Sequence, residues 1–396
     1  MIEFNKKTLK NGLTVLHEKR DVPVTTVMLA TKFGSLYEQE KEKGIAHFIE
    51  HLCFKGTKKR NAREIAFEVE KVGGSLNAFT EEEETAFHVK LPSCHLGKAM
   101  EVIFDIFFNP TFPEEEIEKE RGVILEEIKM YKDNPAGHVM NKIKECLYEA
   151  PFGMFIAGNE ETVKSITREQ ILARHKQVYC PRNSILCVVG NNSFEEVLEL
   201  AEKLSPKNVF IAPLMPKIKL KIKKETESRD NLEQANITIG LHLPFTSETE
   251  KISSLVFSTI LGGGMSSKLF TEVREKRGLA YAIKAFVDKG KNYSHLIIYI
   301  GAEKEKVEEV IKICLEEFKK LGKISEKELE DAKEQVIGNY EVDSEASESN
   351  ALHLILEEIQ SKAEDYYKFK ENVKAVSLED IKKISEISEY AYYVLR

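Results

Sequence analysis

No apolar run in this chain approaches the roughly eighteen residues of a membrane-spanning helix, so no membrane association is expected. The basic excess of a general nucleic-acid binder is missing too. Lys and Arg number 58 against 66 Asp and Glu, a formal net charge of −8 that would repel a phosphate backbone. Tryptophan is absent, and with abundant Lys and Glu that composition suits a thermophilic source. The six cysteines (Cys53, Cys94, Cys146, Cys180, Cys187, Cys314) include no C-x-x-C pair. They carry no signature of a cysteine zinc site or redox dithiol and read as mostly buried thiols. The opening MIEFNKKTLKNGLTV has no apolar stretch of secretory type, which makes the cytoplasm the expected compartment.

What is present suits a globular enzyme. The 396 residues are 42% apolar and 31% charged, enough for real cores in two or three domains of about 150 residues each. Strand-like runs at 13–16 and 25–33 lead into an amphipathic helix near 44–54. A second helix near 62–72 stops at Gly73-Gly74, and alternating strands follow at 75–79 and 85–91. Helices are predicted over 96–108 and 113–131, the latter opened by Pro113 and closed by Asn134-Pro135. A helix near 168–179, a buried-type strand at 185–189 and a short helix complete the half.

The second half repeats the order: strand 236–243, helices near 252–261 and 267–276, strands 279–287 and 293–300, helices 307–321 and 326–340, and a terminal strand at 392–395. Strands and helices come in pairs, so the expected fold class is α+β. We expect two duplicated α/β-roll domains, each a mainly antiparallel sheet packed against helices. The expected division is 1–206, a linker at 207–226, and 227–396. Within the linker Lys217, Lys219, Lys221 and Lys223 alternate, as on a solvated strand edge; an anion site is the rarer alternative.

The strongest chemical signal is His47-Phe48-Ile49-Glu50-His51. Positions i and i+4 share a helix face, so two imidazoles can meet one metal there, and Glu50 lies beside them to activate water. This H-x-x-E-H spacing is that of inverted zinc peptidases, and chance supplies only roughly 0.04 such matches in this composition. The competing reading is two histidines decorating a helix. A catalytic zinc takes a third protein ligand. On the helix 113–131, Glu127 has Val123, Ile124, Met130 and Tyr131 at offsets of three and four, a predicted buried stripe where a carboxylate needs a partner. Glu120, seven residues earlier on the same face, can support the site from behind. Glu114, Glu115, Glu116 and Glu118 fit a solvated acidic face.

Beyond HFIEH, the stretches NGL (11–13), FKGT (54–57), GGSLNAFT (73–80), ERGVILEEIKMY (120–131) and GGGMSSKLFTEVREKRGLAY (262–281) span nearly the whole chain. Together they resemble the pitrilysin/insulinase family of zinc peptidases, in the short-chain branch that includes the mitochondrial processing peptidase beta subunit. The resemblance implies one Zn²⁺ per chain held by His47, His51 and Glu127, with Glu50 as general base and Glu120 as helper. It implies that Asn77, Ala78 and Phe79 belong to an edge strand that takes up the substrate backbone. On the residues alone, an ordinary strand end with Asn77 in a turn fits as well. It also implies that Arg274 and Tyr281 anchor a substrate carbonyl and stabilise the oxyanion; by composition they would be a surface charge and a strand residue. The run Gly262–Gly264 lacks the G-K-[ST] ending of a phosphate loop, which excludes nucleotide binding there. The run Glu81–Glu84 fits either a solvated acidic turn or a preference for basic peptides.

The expected function is hydrolysis of short unfolded peptides by a zinc endopeptidase. The expected assembly is a homodimeric clamshell in which one chain's Arg274 and Tyr281 complete the other's zinc site; a heterodimer is the alternative. Peptides are the expected partners, nucleic acid and membranes are not. The rival functions are a non-catalytic or partner-dependent subunit and a small-molecule metal lyase. An intact HFIEH argues against the first, and a complete second half against the second.

Overall fold

The computed structural model describes residues 3–207, 213 and 215–396; part of the predicted linker, 208–212 and 214, lies outside the described residues. The chain forms two compact units. The first gathers the described residues of Met1–Lys129, Phe155–Pro216 and Asp343–Tyr366, and the second those of Met130–Met154, Lys217–Val342 and Tyr367–Arg396.

Six strands build the sheet of the first unit: β1 (Glu3–Thr8), β2 (Thr14–Lys19), β3 (Val24–Thr31), β4 (Ser75–Thr80), β5 (Thr85–Pro92) and β6 (Ser184–Gly190), in the order β1-β2-β6-β3-β5-β4. All neighbours run antiparallel except β2 and β6. Central β6 (SILCVVG) is buried at every residue, as an apolar, β-branched run covered on both faces must be. At the edge, β4 alternates between exposed and partly buried positions. The helices α1 (Ile45–Cys53), α2 (Ala62–Glu70), α3 (Leu96–Phe108) and α4 (Glu114–Asp133) follow as the periodicity predicts. A capping box on Asn61 and Glu64 starts α2.

The second unit carries β7 (Lys224–Glu227), β8 (Ala235–His242), β9 (Ala280–Lys289), β10 (Ser294–Ala302) and β11 (Ala391–Leu395), in the order β7-β11-β8-β10-β9. Its one parallel pair is β7 with β11. Matching this order to β2-β6-β3-β5-β4 superposes the parallel pairs and sets β9 where β4 stands, at the edge. The duplication is thus a property of the sheets themselves. Each sheet has its own apolar core.

Two helices depart from linear order. Helix α5 (Pro135–Leu147) packs on β8 and β11, while Ser347–Gln360 packs on β3 and β6. The packing units differ from the expected linear division at 206 by these two segments. As sequence, Asn134-Pro135 marks only the stop of α4. Asn134 accepts from the N–H groups of Ala136 and Gly137, and Pro135 sits at the first position of α5. Proline is tolerated there because that N–H would have no helical partner, so one dipeptide ends a helix and begins another. No helix among the described residues is long and apolar enough to cross a membrane.

His175, buried on the helix Arg168–Val178, packs between the rings of Phe112 and Tyr179, and its Nε2 lies 2.9 Å from the Phe107 carbonyl. Burial lowers its pKa from 6.5 to about 4. The folded chain therefore prefers neutral imidazole, and the unfolded chain binds the extra proton first as pH falls. This stabilisation is present above pH 6.5 and lost towards pH 4, a cost of about 3 kcal/mol. Urea unfolding of the metal-free chain across that range should show the loss, and His175→Gln should remove its share of the slope.

Candidate metal centre

The metal-motif helix is fixed at its beginning. Gly44, its N-cap, has φ +99°, a left-handed conformation, and a Cβ there would stand 2.6 Å from the Ala157 carbonyl oxygen. The wholly buried carboxylate of Glu38 accepts from Gly44 N at 3.1 Å and Ala46 N at 2.7 Å. Negative charge at a helix N-terminus is stabilising, and this one takes up N–H groups that have no helical acceptor. Lys43, equally buried, lies 3.5 Å from Glu38 and donates to the Ser35 carbonyl at 2.8 Å.

From that start, Ile45, Phe48, Ile49 and Leu52 turn into the core, which leaves His47, Glu50 and His51 on the other face. The two imidazole centroids are 4.5 Å apart. Helix α4 brings Glu127 to them: its Oε2 is 3.8 Å from His47 Nε2 and 3.6 Å from His51 Nε2. One donor atom from each of His47, His51 and Glu127 lies within 4.8 Å of the others, a grouping that could hold one metal ion. Behind them, Glu120 Oε2 is 3.0 Å from His51 Nδ1, and Lys55 Nζ is 2.7 Å from Glu120 Oε1. A carboxylate only accepts when ionised, so His51 carries its proton on Nδ1 and turns the lone pair of Nε2 towards Glu127.

The electrostatics suit a cation. Burial lowers the His47 pKa from 6.5 to about 3, with His51 adding to the effect, so the ring is a neutral ligand. Burial pushes the Glu127 and Glu50 carboxyls above their ordinary values, against the pull of His51. A divalent ion at this point would reverse that cost. Two neutral imidazoles and a carboxylate are a donor set that zinc accepts.

Glu127 reaches this place for a reason other than the predicted one. Val123, Met130 and Tyr131 are 50%, 59% and 37% exposed, so they form no buried stripe around it. The buried row of α4 is Ile117, Glu120 and Ile124, and half-buried Glu127 continues that row at its open end. A second correction concerns Glu81–Glu84. The structure buries Glu82, Glu83 and Glu84, so this is no solvated turn. Residues 33–37 fold over the hairpin, with Ser35 N and Leu36 N donating to the carbonyls of Glu81 and Glu82 at 2.9 and 2.8 Å. Gly34 permits the approach, since a Cβ would sit 2.2 Å from the Glu81 oxygen. The pKa of half-buried Tyr37 is pushed up to about 12, first by burial and then by Glu83 and Glu84.

Asn77, Ala78 and Phe79 lie on the edge strand β4, with Asn77 Oδ1 accepting from Ala78 N at 2.9 Å. Arg274 and Tyr281 belong to the second unit and come together there. The Arg274 guanidinium lies 4.6 Å from the Phe270 ring centroid and 4.9 Å from that of Tyr281, and Nη1 donates to the Tyr281 carbonyl at 3.0 Å. A π-helical turn, Phe270–Glu275, carries Arg274, and Tyr281, 76% exposed, is the second residue of the edge strand β9. Nothing in the sequence pattern singles out Glu38, Lys55 or Thr80. Lys55 and Thr80 lie within FKGT and GGSLNAFT, but no spacing rule connects them to His51 or Glu50.

Two family patterns match the chain: Insulinase (Peptidase family M16) over residues 13–158 and Peptidase M16 inactive domain over 165–336. A zinc protease of Rickettsia felis is 36% identical over 342 residues, covering 85% of this chain and 82% of its own. One from Bacillus subtilis is 33% identical over 358 residues, covering 87% and 86%. The crystal structure of a protease from Helicobacter pylori shares the fold, with a TM-score of 0.91, 24% identity and 100% of both chains covered. The chain therefore belongs to the insulinase family, peptidase family M16, whose relatives here are zinc proteases.

Glu38→Ala would leave a buried ammonium without its carboxylate and α1 without its cap. Urea unfolding should show a loss of about 3–5 kcal/mol, much of it recovered in a Glu38→Leu/Lys43→Met double variant.

Proposed function

We propose that this chain is a zinc-dependent endopeptidase acting on short, unfolded peptides, with one metal ion per chain held by His47, His51 and Glu127. The observation that carries the reading is the convergence of those three donor atoms within 4.8 Å, with buried Glu50 on the same helix face. When bound, zinc polarises the scissile carbonyl and makes water acidic enough to lose a proton near neutrality. Glu50 takes that proton and later delivers it to the leaving amine. Glu120 holds His51 in the tautomer that presents Nε2, and Lys55 holds Glu120.

The free edge of β4 offers main-chain hydrogen bonds to an extended peptide, which joins the sheet as a further strand. Asn77, Ala78 and Phe79 would line that strand. Arg274 would anchor a substrate carbonyl, and the Tyr281 hydroxyl would donate to the developing oxyanion. We assign these two to the site of a second copy, so that the working form is a homodimer.

Mass spectrometry of a mixed unstructured-peptide digest tests the activity. Wild type should cleave; Glu50→Gln should retain zinc and lose about 10²–10⁴-fold in rate; His51→Ala should lose the metal itself. Intact peptides with zinc-loaded wild type would turn the assignment to a partner-dependent subunit. Assembly is tested by co-expressing a His51→Ala chain with an Arg274→Ala/Tyr281→Phe chain. Recovered cleavage is expected from sharing between copies, and none would refute it.

A further inference from the structure

Glu50 is buried, and among the described residues its carboxylate accepts one hydrogen bond, from Thr80 Oγ1 to Oε2 at 2.7 Å. A hydroxyl has a single proton to give. Thr80 Oγ1 also lies 3.4 Å from Thr85 Oγ1, but Thr85 sends its own proton to the Phe33 carbonyl at 2.9 Å. The Thr80 proton therefore goes to the nearer, anionic acceptor, where a charge-assisted bond is the stronger one. Oε2 already accepts this bond, which draws on its electron density, and Oε1, which accepts none among the described residues, is the more basic oxygen.

The place of Thr80 in the fold gives that bond a further meaning. Thr80 is the last residue of β4 and pairs with Thr85 on the final rung of the β4–β5 ladder. Beyond it the hairpin closes through Glu81 N to the Glu84 carbonyl at 2.9 Å and is held down by Ser35 and Leu36. A β-branched side chain on so restrained a backbone has little χ1 freedom. The strand whose outer edge is free to take up a peptide thus ends on the donor that orients the base.

We infer that Thr80 is a positioning residue for Glu50: its hydroxyl holds Oε2, favours Oε1 as the proton acceptor, and ties this carboxylate to the edge strand. The inference rests on the reading of Glu50 as the base.

The test uses the full-length, zinc-loaded chain and a quenched peptide identified as a substrate in the digest. Thr80→Val, close in volume but without the hydroxyl, should lower kcat about 10–100-fold, the range for losing a hydrogen bond to a charged group. KM and zinc content should stay unchanged, and Thr80→Ser should restore most of the rate. In a Glu50→Gln background, Thr80→Val should have no further effect on kcat. Crystal structures supply a readout apart from activity: the Glu50 carboxylate should leave its position in Thr80→Val and keep it in Thr80→Ser. Wild-type kcat in Thr80→Val, a change confined to KM, or an unmoved Glu50 would each overturn the inference. Failure of the underlying reading looks different, because Glu50→Gln would then cleave at the wild-type rate.

Discussion

The site depends on how the first turn of α1 is anchored. Two imidazoles and a carboxylate can share one helix face only if the opposite face is committed to the core and the helix cannot slide. Ile45, Phe48, Ile49 and Leu52 supply the first condition. The second falls to Glu38, a wholly buried carboxylate bonded to two backbone N–H groups of the helix start and facing an equally buried Lys43. Buried charges of this kind are costly unless their geometry is well satisfied. Here they set the register in which His47, Glu50 and His51 meet α4.

Around that anchor, polar groups are arranged in a chain of pairs that holds His51 and Glu50 each by one atom. Glu120 occupies Nδ1 of His51 and leaves Nε2; Thr80 occupies Oε2 of Glu50 and leaves Oε1; Lys55 occupies the second oxygen of Glu120. Each bond removes an alternative tautomer or rotamer, which is how a preorganised site differs from a cluster of the same residues.

The two sheets give the same architecture different chemical content. Their strand orders superpose, with β4 and β9 at equivalent edges. One edge carries Asn77-Ala78-Phe79 and ends beside Glu50; the other carries Tyr281 near its start, with Arg274 beside it. Among the described residues, the grouping that could hold a metal lies in the first unit.

Much of this was legible along the chain, because the relevant forces are local. Paired strands and paired helices are written in periods of two and 3.6, and the i, i+4 spacing of His47 and His51 puts them on one face in any helix. What failed were inferences that needed a neighbour in space. The Glu127 stripe assumed that Val123 and Met130 were buried, yet α4 packs through Ile117, Ile124, Leu125 and Ile128 and leaves both exposed. A solvated turn was one of two open readings of Glu81–Glu84, because nothing in four glutamates announces that residues 33–37 will cover them. The exchange of Pro135–Leu147 and Ser347–Gln360 between packing units leaves no trace in linear order. By itself, then, the sequence determined the elements, their duplication and the two-histidine face, all consequences of side-chain periodicity. Tertiary structure alone decided why Glu127 stands beside them, which atoms of His51 and Glu50 are already bonded and that Thr80 meets Glu50, since those depend on contacts between residues 30 to 80 positions apart.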